Sequence, residues 1–233
     1  MIKWLFKWLF RLVFLAALLV IILLLSLNSI LRVLIEHNIR AQTGMDAEIG
    51  RVEVGWTAPT FEIRDLKIYN PPAFGGTPFL DIPEVHIEYD RFALAKKELH
   101  LTLVRLDFQE LDVVRNRNGD VNVFAVGAAP RLNAGVALPS LKKQTGYDFK
   151  GIDALNVSFN KAKFIDLQNR RNDREQTIGL QNCVVPDVKS ARDLAGLAVI
   201  IDLRSNHFFD PLLSGQVKSA PVKSVLNIMG GAL

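Results

Sequence analysis

The sequence predicts a membrane-anchored, mainly β protein: an N-terminal transmembrane helix, a long, curved, bulged antiparallel sheet forming a β-groove, and two short C-terminal helices. Three observations lead there. An uncharged run, LVFLAALLVIILLLSLNSIL, fills residues 12–31. Downstream of about residue 45 the apolar period changes from 3.6 to 2, the signature of half-buried strands. The alternation is then interrupted repeatedly by one-residue slips, each of which turns later side chains to the other face unless a bulge absorbs it.

The uncharged run is 20 residues long, enough for a helix to cross a hydrocarbon core of roughly 30 Å. A cleaved signal peptide would have a shorter core and a small-residue cleavage site, whereas Arg32-Val33-Leu34 comes next. An uncleaved anchor is therefore expected. Residues 1–11 form a basic stub with Lys3, Lys7 and Arg11 and no acid, which keeps that end cytoplasmic and sends the body across. Trp4 and Trp8 fall one helical turn apart, as interface residues do. The helix is expected to extend to about residue 43, with Gly44 as its stop.

Residues 45–189 carry the strands. AEIGRVEVGW (47–56) alternates Ile49, Val52 and Val54 with polar positions. TFEIRDLKIY (60–69) presents Phe61 and Ile63, then Leu66 and Ile68 after a slip; FLDIPEVHIEY (79–89) repeats this around Pro83. In residues 99–114 the apolar positions are Leu99, Leu101 and Leu103, then Leu106 and Phe108, then Leu111 and Val113. That is one very long strand with two slips, and recurrent bulges coil a sheet.

NRNGDVN (116–122) follows this strand. Its Asn118-Gly119 pair is a hairpin signal. A calcium loop would place its glycine later and add a distal Glu, so a turn before a strand at VNVF (121–124) is expected. Residues 125–150, rich in Ala, Gly, Pro and Ser, read as a loop. Strands resume over 151–169, with Leu155, Val157, Phe159, Ile165 and Leu167 on one face, and 177–188 is the last strand. The C-terminal segment, 190–233, is expected to be helical at 191–203 and at 221–229.

Charge and motifs exclude several functions. The formal net charge of +4 arises within residues 1–40, which hold five basic residues and one acid; the remainder is balanced, 23 against 23. A body without net field has little attraction for a phosphate backbone, so nucleic acid is not expected as a partner. Cys183 is the only cysteine, which rules out an intramolecular disulfide and suggests a buried, inert thiol. The four histidines are scattered, and no nucleotide, zinc or dithiol motif is present. GGTP (75–78) has no helix after it and reads as a turn; Asn156-Val157-Ser158 is a glycosylation sequon of consequence only in a glycosylating host. Asp107, Glu110 and Asp112 allow an acid pair, though solvated strand positions explain them equally well. No catalytic residue, cofactor or metal is expected, and the chain is read as non-enzymatic.

What remains is a large apolar sheet face, which must be covered or used. Either the short helices close an ordinary core, or they leave an apolar trough suited to acyl chains or a partner surface. The candidate trough residues are Leu99, Leu101, Leu103, Val157 and Phe159.

The anchor, then TGMDAEIGRVEVGW (43–56), FEIRDLKIYNPP (61–72), FLDIPEVHIEYD (79–90) and LHLTLVRLDFQELDVVRNRNGDVNVF (99–124), together resemble the N-terminal region of AsmA-like proteins. The resemblance spans roughly residues 1–125 and rests on the "G…A.IG.V.V" opening, the "L.I.NP" strand end and the "R…G..N" corner. It implies a single-pass protein of the bacterial inner membrane with a periplasmic body, whose β-groove is related to bridge-like lipid-transfer proteins. Phospholipid or another acyl-chain ligand, self-association and an envelope protein partner are the implied partners. The implied role is lipid transport and outer-membrane or cell-envelope maintenance; the alternative is a non-catalytic structural or adaptor protein of an envelope assembly.

Overall fold

The computed structural model describes residues 27–41, 43–55, 57–125, 146–206 and 208. A helix, α1, occupies residues 27–41. Six strands follow: β1 (Asp46–Val54), β2 (Thr60–Tyr69), β3 (Pro78–Tyr89), β4 (Glu98–Arg115), β5 (Asp148–Asp166) and β6 (Arg174–Val188). Between them lie two short helices, α2 (Arg91–Ala95) and α3 (Asn122–Ala125), and after them α4 (Ala195–Arg204). The strands form one sheet in sequence order, β1 to β6.

Two features of the expected fold are corrected. The sheet is mixed, not antiparallel throughout: β4 and β5 pair in parallel along their whole length, from Glu98 beside Asp148 to Arg115 beside Asp166. A parallel pair needs a crossover of a dozen residues or more rather than a tight turn, and the chain between Ala125 and Asp148 supplies that length. Secondly, among the described residues no helix is long and apolar enough to cross a membrane. Of the run expected to span, only residues 27–31 fall in α1; residues 12–26, with Trp4 and Trp8, lie outside the described residues. The helix expected at 221–229 also lies outside them.

The slips seen in the sequence are matched from strand to strand. On β1 the buried pair Ile49 and Val52 is three residues apart; opposite them stand Leu66 and Ile63 on β2, then Ile82 and Val85 on β3. The same break recurs between Phe108 and Leu111 on β4, Phe159 and Ala162 on β5, and Leu180 and Cys183 on β6. The breaks recur near the middle of every strand; on β6 the break faces Val157–Phe159, one residue pair before the break on β5, and register shifts between these two strands absorb the offset, so one face stays apolar. Local geometry permits it: Gly50 lies opposite Asp65, which has φ +55°, and a Cβ on Gly50 would come within 2.9 Å of the Asp65 Cβ. A second line joins Leu101/Val104, Ile152/Leu155 and Val185/Val188, with Asp187 at φ +53°.

At the far end of β4, Asn116–Gly119 makes a tight turn, Gly119 N–H donating to Asn116 O at 3.1 Å. The expected strand at 121–124 is instead a single bridge, Arg115 to Val121, followed by α3. Only Gly119 of the Asn118-Gly119 pair has positive φ, +93°, so the two-residue hairpin geometry is not adopted. The side chain of Asn116 dictates this by accepting from Asn118 N–H and Asp120 N–H, both at 2.9 Å. Asn122, fully buried, then knits the corner: its amide donates to Asn70 Oδ1 (2.7 Å) and Asp112 O (2.8 Å), and its Oδ1 accepts from Val114 N–H (3.0 Å) and Val123 N–H (2.9 Å).

Asn122→Ala strands those buried partners and should lower unfolding free energy by about 2–4 kcal/mol in a denaturant titration. Asn118→Ala, at an exposed side chain of the same corner, should change it by less than about 0.5 kcal/mol.

Candidate functional site

The apolar face of the sheet is covered from two sides. Leu31, Ile35 and Ile39 of α1 pack on the cluster of Ile49, Val52, Ile63, Leu66 and Ile82. Leu194, Leu197 and Ile201, leading into and along α4, pack on the cluster around Val157, Phe159, Ile178 and Leu180. Each helix is also tied to the edge strand beneath it. Glu36 Oε1 accepts from Ile49 N–H of β1 at 2.9 Å, and Arg204 Nη1 donates to Gly179 O of β6 at 2.9 Å.

Burial across this face is uneven on every strand. On the flanks Ile49, Val52, Val157 and Phe159 are buried. On central strands β3 and β4, Val85, Ile87, Leu106, Phe108 and Leu111 are only half-buried, although Ile82 and Val104 beside them are buried. Phe108 belongs to both hydrophobic clusters and meets the Phe159 ring edge-on, with centroids 5.9 Å apart. The candidate site is this half-buried apolar strip of β3 and β4, between the flank clusters on which α1 and α4 pack.

Of the residues expected to line a trough, Val157 and Phe159 are buried under α4 and Leu101 packs against the same cluster. Leu103 alternates onto the opposite face, because the slip falls between Leu101 and Val104 rather than between Leu103 and Leu106. Leu99, half-buried, sits at the start of β4 beside Phe149. The half-buried residues Val85, Ile87 and Leu111 were missed. Their alternation was visible, but which strands the helices would leave thinly covered was not. Cys183 is a free, half-buried thiol packed against the α4 cluster.

The opposite face is polar and crossed by ion pairs such as Arg105–Glu84 at 3.4 Å. His100 Nε2 lies 2.8 Å from Asp153 Oδ1, a bond that raises its pKa against a smaller opposing effect of burial. The three acids noted in the sequence are not all solvated. Burial by itself raises the Glu110 carboxyl, but the Lys161 and Lys163 ammoniums, each 2.8 Å from a Glu110 oxygen, hold it below its ordinary value. Asp112, one position along on the same face, is buried; burial first, and then the Glu110 charge, push its pKa up to about 7. A cavity of about 460 Å³ lies at the corner between Asn116, Arg117, Asn118 and Pro72–Gly75. Among the described residues no group of three or more acid, histidine or cysteine side chains is arranged to hold a metal ion.

No family model, curated protein or solved structure matches this chain.

The pH dependence of stability follows from Asp112. Its folded carboxyl keeps a proton to about pH 7, whereas the unfolded chain releases it near pH ~4. Between those values the folded state binds more protons, so this group's contribution falls as pH rises and is level above the folded pKa. Asp112→Asn removes that loss. Thermal unfolding should show the variant gaining on the wild type from pH ~4 upward, by about 1–3 kcal/mol at pH ~8 and by nothing below pH ~4.

Proposed function

We propose that this chain is a non-catalytic, AsmA-like lipid-handling protein of the bacterial cell envelope. The body lies in the periplasm, at the inner membrane, where the basic stub of Lys3, Lys7 and Arg11 favours the cytoplasmic side. The apolar strip between α1 and α4 shelters an acyl chain of a phospholipid or similar amphiphile during transfer or envelope maintenance. The observation that carries this reading is a run of half-buried apolar residues: Val85, Ile87, Leu106 and Phe108 lie between buried Ile49 and Val52 on one flank and buried Val157 and Phe159 on the other. Half-buried aliphatic and aromatic side chains in a row give an acyl chain apolar contact, with each methylene removed from water worth about 0.8 kcal/mol.

A second reading, a structural or adaptor protein of an envelope assembly, is favoured by a different feature. Val199, Ile200 and Leu203 of α4 are exposed, at 47%, 38% and 63%, on residues that do not pack on the sheet. Apolar residues gathered on one exposed helix side mark protein contacts as well as membrane contacts.

Native mass spectrometry of the full chain, released from detergent, tests the first reading. Lipid should stay bound to the wild type and be reduced at least about fivefold in Leu106→Glu, which places a charge on the strip. A photo-crosslinker at Leu101 should capture lipid. Capture of protein alone, with no lipid retained in any detergent, supports the adaptor reading instead.

A further inference from the structure

On the polar face of the sheet, opposite the apolar strip, β2, β3 and β4 line a half-open cavity of about 130 Å³. Tyr69, Pro78 and Phe79 line it together with Asp81, Glu110 and Asp112. Asp112 is 5% exposed, and its Oδ1 has no hydrogen-bond partner. An unpaired buried carboxylate oxygen is costly and rare in a folded protein. Glu110 does not share this condition, since Lys161 donates to one of its oxygens and Lys163 to the other, each at 2.8 Å. The acceptors left facing the cavity are those of Asp112 and Asp81.

We propose that this cavity is a binding site for a primary ammonium group, with Asp112 and Asp81 as its carboxylate partners. An ammonium carries three N–H donors and a positive charge, which fits one orphaned carboxylate oxygen and a second carboxylate beside it. The cavity has room for roughly four waters, enough for the nitrogen and one or two carbons, which would lie against Tyr69, Pro78 and Phe79. A hard divalent cation fits poorly: it wants six or more oxygens, and Lys67 lines the same cavity. A quaternary ammonium has no N–H to give Oδ1.

The groups that set the local field are Glu110 on β4, Asp81 on β3, Lys67 on β2, and Lys161 and Lys163 on β5. Because binding needs the Asp112 carboxylate, affinity rises as pH increases through about 7. The same chemistry is offered by a free alkylamine and by the ammonium of a zwitterionic lipid headgroup.

Carbon-13 carboxyl spectra of the full chain in detergent, titrated with ethylammonium chloride, test the site. The Asp112 resonance should shift saturably, more strongly at about pH 8 than at about pH 5.5, and tetramethylammonium should leave it in place. Asp112→Asn and Asp81→Asn should each weaken ethylammonium binding about tenfold or more. Glycerophosphoethanolamine binding as tightly as ethylammonium assigns the site to a lipid headgroup; much weaker binding assigns it to a free amine. Equal, non-saturating shifts with ethylammonium and tetramethylammonium would overturn the proposal, as would undiminished binding in Asp112→Asn. If a variant does not fold, the wild-type contrast between the two cations decides.

Discussion

The structure depends on keeping one face apolar over strands far longer than usual. β4 has 18 residues and β5 has 19, against an ordinary five or six. A strand of that length in a twisting sheet accumulates more coil than regular pairing accommodates, and bulges release it. A single bulge, however, sends all later apolar residues to the wrong face. The solution is collective: every strand carries a break near its middle, offset by one residue pair on β6, and a second crosses β4, β5 and β6. Glycine at position 50, and aspartate or asparagine at 65, 182 and 187 with positive φ, are the residues that take up the distorted backbone.

Among the described residues, the helices that pack on this apolar face meet its flank clusters. α1 and α4 settle on opposite flanks, each anchored by one charged side chain to an edge strand, Glu36 to Ile49 and Arg204 to Gly179. These contacts also blunt the two open edges, where unpaired backbone groups invite another strand. Between them, Val85, Ile87, Leu106 and Phe108 of β3 and β4 stay half-buried. On the other face the same strands carry a lattice of ion pairs, within which Asp112 is the one acid pressed out of solvent with an oxygen unpaired among the described residues.

Much of this was legible in residue order. Alternation placed all six strands, and the spacing of Ile63 to Leu66 and Ile82 to Val85 exposed the slips. The first slip on β4 was misplaced because Leu101, Leu103, Val104 and Leu106 are all apolar, so alternation alone did not say whether Leu103 or Val104 faces the core. The parallel join of β4 to β5 was illegible, because strand patterns carry no direction. Asn118-Gly119 misled through Asn116, whose side chain stabilises a different turn. The burial of Asp112 was hidden too, since its neighbours across the sheet, Lys163 and Asp81, come from distant segments.

The proposed lipid-handling role requires that the middle of the apolar face admit an acyl chain. Attaching an environment-sensitive fluorophore through Ile87→Cys, in a Cys183→Ser background, and adding phospholipid brominated along its acyl chains measures this directly. Quenching at position 87, stronger than at a label on exposed Val199, is the result expected of a lipid seated between α1 and α4. Quenching at position 199 with none at 87 would place lipid only on the outside of the helices and contradict it.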